Sequence, residues 1–236
     1  MNLYDTFSSS LNQAVNLTIS LDPNLVEIVL LSLRVSLTAV LIAAVIGMPL
    51  GAAVALFRFP GRGVVIVGLN ALMGLPPVVV GLIVYLTLSR AGPLGVLGLL
   101  FTPTAMIIAQ VLLITPIIAA LTRQMAADLW VEYEEQLRSL GSGPGRAIPT
   151  LLWDGRLTLV TALLAGFGRA SAEVGAVMIV GGNIDHVSRM MTTAIALEVS
   201  RGELALALAL GAILMTLSLS VNAAAYGLAE RTGGRS

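Results

Sequence analysis

No cysteine and no lysine occur among the 236 residues, histidine occurs once, and aromatic residues make up only 5%. Without cysteine there is no disulfide, no thiol chemistry and no cysteine-based metal site. Without lysine there is no P-loop, whose phosphate cradle needs that residue on the β- and γ-phosphates. If the function consumes ATP, another polypeptide hydrolyses it. Charge is scarce too, 11% against about 25% in a soluble domain. Thirteen basic residues balance thirteen acidic ones, so no basic excess points to nucleic acid.

What fills the chain is apolar: 57% of residues are hydrophobic and the mean hydropathy is +0.94. The apolar runs exceed the ~18 residues that mark a spanning helix, whereas β-barrel strands would be about ten residues of alternating pattern. The expected fold class is therefore all-α, a polytopic helical protein whose first partner is the lipid bilayer. No positive charge precedes the first apolar residues, so the N-terminus is read as mature sequence and not as a secretory signal.

Residues 1–22 carry Phe7, Leu11, Ala14 and Val15 on one helical stripe, which suits an amphipathic segment on the external membrane surface. Asp22-Pro23 reads as an N-cap followed by proline at the first helical position. Spans are then expected over 23–57, 64–89, 94–122, 157–180 and 204–228, with a kink at Pro76-Pro77. The apolar stretch 190–199 is too short to cross and is read as a surface or tucked-in helix. Arg58, Arg62, Arg123, Arg138, Arg146, Arg156, Arg231 and Arg235 fall on one side of these five spans, against Arg90, Arg189 and Arg201 on the other. The positive-inside rule makes the first side cytoplasmic, with the N-terminus outside and the C-terminus inside.

Residues 123–156 then form the largest cytoplasmic loop, and much of the chain's charge gathers there. Ala126 to Leu140 has good helix formers and Glu134/Arg138 at i, i+4 in the favourable order. The run Gly141-Ser142-Gly143-Pro144-Gly145 stops that helix with glycine where positive φ is needed. Apolar residues resume at Ala147-Ile148, so a helix, a sharp turn and a second short helix are expected. Composition alone leaves a merely solvated loop as the alternative.

Glu135-Gln136-Leu137-Arg138-Ser139-Leu140-Gly141 resembles the EAA loop of ABC-importer permeases, with Glu135 and Gly141 matching in type and spacing. Gln136 and Leu137 stand for its alanine pair, Leu151 for its isoleucine, and Trp153-Asp154 for its Leu-Pro. The resemblance implies a single permease domain over 1–236, with the loop as a coupling helix that docks into a separate ATPase subunit. Glu134, Glu135, Arg138, Ser139, Leu140, Gly141 and Ser142 would form its turn, and Ile148 and Leu151 its buried contacts. It further implies two ATPase subunits, an external oxyanion-binding protein, a second copy of the chain, and a bacterial or archaeal cytoplasmic membrane. No catalytic residue, metal or cofactor is expected in this chain.

The fourth span contains GFGRASAEVGAVMIVGGNI, from Gly166 to Ile184. Arg169 sits near its middle, where a charge costs at least roughly 2.5–3.5 kcal/mol, and Glu173 follows at i+4 as a natural partner. The pair is either a buried salt bridge that fixes packing or a translocation path or gate for an anion, with Glu173 orienting Arg169. Gly166/Ala170, Gly168/Ala172 and Ser171/Gly175 have the small-x-x-x-small spacing that admits another helix closely. The stretch FGRASAEVGAVMIVGGNI, with GLPPVVVG from Gly74 to Gly81, is similar to the tungstate and molybdate branch of oxyanion permeases. That resemblance implies an importer of an oxyanion, tungstate foremost, with molybdate, sulfate or phosphate as alternatives.

His186 beside Asp185 is read as a surface residue, since a metal site needs several ligands. Arg34, inside the first span, snorkels outward, pairs with Glu27 or takes part in the translocation path. An autonomous channel or secondary transporter would show repeats in two halves; five spans with proline breaks in the second and third only do not divide that way. An intramembrane enzyme lacks histidines and paired carboxylates in the spans.

Overall fold

A computed structural model describes residues 22–233; the amphipathic segment expected over residues 1–22 lies almost wholly outside them. In chain order the helices are α1 (Pro23–Leu56), α2 (Arg62–Met73), α3 (Pro77–Leu88), α4 (Pro103–Ser139), α5 (Pro144–Asp154), α6 (Arg156–Ser171), α7 (Gly175–Gly181), α8 (Met191–Arg201) and α9 (Leu204–Gly233). A single 3₁₀ turn, Gly95–Leu97, lies between α3 and α4. Among the described residues three helices are long and apolar enough to cross a membrane, or up to five spans if each bent helix pair counts as one. The protein is thus an all-α, polytopic membrane protein.

The described residues fall into two compact units, 22–37, 77–110 and 171–221 in the first and 38–76, 111–170 and 222–233 in the second. The first unit holds the beginning of α1, with α3, α7 and α8 and most of α9. Asp22 caps α1 by accepting the amide hydrogens of Asn24 and Leu25 at 2.9 and 3.2 Å. Its core joins Leu25 and Ile28 of α1 to Met191 and Ala194 of α8 and Ala209 and Leu210 of α9. Ser32 Oγ accepts the Met191 amide hydrogen at 2.7 Å, tying the start of α8 to α1. So 190–199 is a helix tucked into the unit, with Met191, Thr192, Thr193 and Ala194 buried.

In the second unit the remainder of α1 meets α4 closely. A Cβ on Gly47 would lie 3.1 Å from the Thr115 carbonyl oxygen, and one on Gly51 3.0 Å from the Arg123 amide nitrogen. Glycines four apart let the two backbones approach to this distance. Arg62 closes the end of α1 by donating Nε–H to the Val54 carbonyl at 2.7 Å and Nη2–H to that of Ala55 at 2.8 Å. These are carbonyls that a helix end leaves without intrahelical partners.

Two expected spans form differently. The stretch 64–89 is not one kinked helix: α2 and α3 are bent by 99° across Gly74–Pro76. Each has 12 residues, about 18 Å, so neither crosses a core of about 30 Å alone. Two consecutive prolines remove two amide donors and α3 restarts with proline at its first position, which allows a full corner. The stretch 157–180 also breaks, after Ser171. Here Glu173 accepts the Ala176 amide hydrogen at 3.0 Å, and its own carbonyl accepts the Thr192 hydroxyl at 2.8 Å. The backbone groups freed by the break are re-satisfied by side chains, as apolar surroundings demand. The third span begins at Pro103, later than the expected 94, and continues unbroken into the charged loop as far as Ser139.

Candidate functional site

The charged loop belongs to the second unit and is built on α4. Ala126 and Trp130 on this helix pack with Ala52, Ala55 and Leu56 of α1 and with Ala147 and Leu151 of α5. The far end of α4 therefore stands as a rigid post. Glu134 and Arg138 pair along it at 2.6 Å, Glu135 is exposed, and Ser139 Oγ donates to the Gln136 carbonyl at 2.8 Å.

The post ends in a Schellman turn. Ser142 donates its amide hydrogen to the Leu137 carbonyl at 2.8 Å and Gly141 donates to that of Arg138 at 2.9 Å, the 6→1 and 5→2 bonds of that motif. Gly141 has φ 74°, the left-handed region glycine enters without steric cost. Its carbonyl accepts a further hydrogen bond from Arg146, clamping the turn to α5. Pro144 then starts α5 at a position where its missing amide hydrogen costs nothing.

The two apolar residues expected to face a partner do not both do so. Leu151 is 0% exposed and Ile148 is half-buried against the same core. Ala147, Ile148, Leu151 and Leu152 fall on one side of α5, and that side is spent on the chain's own packing. The opposite side presents Arg146, Pro149, Thr150, Trp153 and Asp154. Trp153 is 72% exposed with the Arg156 guanidinium 5.4 Å from its ring centroid, and Leu140 at the turn is 82% exposed. An exposed tryptophan beside arginine is the side-chain chemistry enriched in protein–protein contacts. Leu151 is thus buried in the chain's own core, and the large apolar side chain that α5 exposes is Trp153.

Gly155 bends the chain by 77° into α6, where Met125 fills the space a side chain would need. A Cβ on Gly166 would lie 2.9 Å from Ile114 Cγ2, so the small residue there does admit α4, whereas Gly168 faces open space. Arg169 lies in the last turn of α6, half-buried. Glu173 lies beyond the end of that helix, so the i+4 geometry of one continuous helix does not apply. Glu173 is 3% exposed, and one of its carboxylate oxygens caps the start of α7. A break recognisable from Ser171, Glu173 and Gly175 would have given this role in advance. Close by in the first unit, a Cβ on Gly81 of α3 would stand 2.7 Å from Ala176 Cα of α7, and one on Gly175 2.9 Å from Val78 Cγ2. The two broken elements pack backbone to backbone.

No protein-family model matches the chain. It is 42% identical over 217 residues to the tungstate uptake system permease protein TupB of Peptoclostridium acidaminophilum, covering 92% of this chain and 95% of that one. A probable anion ABC transporter permease of Haloferax volcanii is also 42% identical, over 216 residues, 89% of this chain and 93% of that one. TupB of Campylobacter jejuni is 38% identical over 150 residues, 64% of this chain and 63% of the other. Molybdenum and sulfate transport permeases match at 27% or less. With 42% identity to two such permeases along nearly its whole length, and three apolar helices among the described residues long enough to cross a membrane, the chain belongs to the ABC-transporter permeases, in the family of the tungstate uptake permeases.

Proposed function

We propose that the chain is the membrane subunit of an ATP-driven importer that carries tungstate into the cytoplasm. The observation that carries this is identity of 42% along nearly the whole length of a tungstate permease. ATP is hydrolysed in a separate subunit, in keeping with the absence of lysine. Two such subunits dock on residues 123–156, one per copy of a homodimer, which places a hydrophilic path on the two-fold axis. The docking surface is the turn at Gly141 with Leu140, Trp153 and their arginine rim. An external binding protein delivers the oxyanion, the N-terminus is outside and the C-terminus cytoplasmic. Arg169 and Glu173 serve the path or its gate, Glu173 by holding the break at the start of α7. Motion of α5 reaches the spans through its packed face, and the broken helices are where such motion is absorbed.

The experiment is co-expression with an ATPase subunit and an oxyanion-binding protein of the same source, followed by purification. An ATPase that stays bound and is stimulated by tungstate with the binding protein supports the whole assignment. A bound ATPase that responds to molybdate alone favours the molybdate reading, for which the molybdenum permease of Escherichia coli at 27% identity is the relevant relative. An ATPase that never associates refutes the docking surface.

A further inference from the structure

Arg34 stands eleven residues after Pro23 on α1, about 16 Å along its axis. It is exposed and, among the described residues, makes no hydrogen bond or ion pair. It lines a groove of about 650 Å³ in the first unit, walled by Val26, Leu30, Leu31, Pro103 and Val187, with Glu27 and His186 also lining it. The other charges there are engaged. Glu27 Oε2 lies 2.8 Å from His186 Nδ1, and Arg189 pairs with Asp185 at 2.9 Å. Arg34 is the charge left over.

Its depth is also informative. From Arg34 to the end of α1 at Leu56 the helix runs about 33 Å, one hydrocarbon thickness of about 30 Å. On the proposed orientation, with Arg58 and Arg62 at the cytoplasmic border, Arg34 sits at the outer border. A guanidinium there keeps its charge and offers forked N–H donors to the oxygens of a tetrahedral anion.

We propose that this groove is an anion-capture site at the outer mouth, in which Arg34 binds a tetrahedral oxyanion on its way to the path. The proposal rests on the importer reading above. At about 650 Å³ the groove has room for a tetrahedral oxyanion with water around it. One guanidinium facing a dianion, with the Glu27 carboxylate beside His186 in the same groove, makes a weak site, and weak sites suit conduction, because a bound ion must also leave. A lipid phosphate at the same depth offers the same chemistry, so the experiment must separate the two sources.

The test is tungstate uptake by the complete transporter, with ATPase and binding protein, in phosphatidylcholine vesicles with and without phosphatidylglycerol. Wild type is compared with Arg34→Gln and Arg34→Lys. Capture of the oxyanion predicts that Arg34→Gln raises the half-saturating tungstate concentration about fivefold, the worth of one exposed charge contact, with the maximal rate and assembly unchanged. Arg34→Lys should recover most of it. If the variant instead loses phosphatidylglycerol retained by the purified wild type, with uptake unaltered, the anion held is a lipid and capture of the oxyanion is refuted. Unchanged uptake and unchanged lipid, or a complex that fails to assemble, also overturns the proposal. A wild type that transports no oxyanion refutes the importer reading, whereas a transporting wild type matched by Arg34→Gln refutes only this site.

Discussion

Replacing Gly141 tests how the turn between α4 and α5 is held, and with it the proposed coupling to the ATPase. The residue has φ 74° and a Cβ built on it meets nothing within 4 Å. Alanine therefore has room but not the conformation, and a left-handed position costs an L residue roughly 1–2 kcal/mol. That is a factor of about 5–30 in the population of the turn, with the Ser142–Leu137 and Gly141–Arg138 hydrogen bonds lost together when it opens. Asparagine, which visits this region more readily, should cost less. In proteoliposomes the tungstate moved per ATP hydrolysed should fall in the order Gly, Asn, then Ala and Leu together. Because space is open, Ala and Leu should be alike in the isolated permease. An alanine variant that couples like wild type would refute the conformational account. So would a loss that grows with side-chain size while Asn and Ala behave alike, since that would point to contact with a partner.

Trp153→Ala should weaken ATPase binding by about 30-fold or more, as truncating an interface anchor does. The permease's own thermal stability should be unchanged, because the side chain is 72% exposed. Arg169→Ala should abolish uptake while a monodisperse complex still purifies; a complex that falls apart would assign Arg169 to packing. Gly81→Ala, whose Cβ would stand 2.7 Å from Ala176 Cα, should cost about 1–3 kcal/mol by overpacking, read as a lower melting temperature in detergent. Gly68→Ala, which meets nothing within 4 Å, should be neutral or slightly stabilising. His186 has its pKa raised above the ordinary 6.5, first by the hydrogen bond to Glu27, then by the charges of Glu27 and Asp185, with Arg189 opposing. A raised folded pKa means that the Glu27 pairing stabilises fully below pH 6.5 and is lost as pH rises through the raised value. The melting-temperature gap between wild type and His186→Gln should therefore be larger in mildly acidic buffer than in alkaline buffer.

Where local chemistry decides, the sequence is readable. Asp22-Pro23 predicts the cap and start of α1, and Gly141 with Pro144 predicts a positive-φ turn followed by a new helix; both form so. Where the outcome depends on which face of an element meets the rest of the chain, it is not. The spacing of Ala147, Ile148, Leu151 and Leu152 marks one apolar face of α5, but nothing local says whether that face meets another subunit or the permease's own α1 and α4. Packing against Ala52, Ala55 and Trp130 decides it. The 99° corner at Pro76-Pro77 and the break after Ser171 are of the same kind. Proline and glycine permit a bend, while its size depends on partners distant in sequence, such as Thr192 for the Glu173 carbonyl. Likewise Glu27 pairs with His186, 159 residues away, and not with Arg34 two turns further along its own helix.

Transport itself is read from uptake of tungstate, molybdate and sulfate by vesicles containing this chain with an ATPase subunit and a binding protein. Tungstate should accumulate only with ATP inside the compartment that bears the 123–156 loop, with molybdate and sulfate competing poorly. Accumulation without ATP, or sulfate and molybdate carried in preference to tungstate, would contradict it.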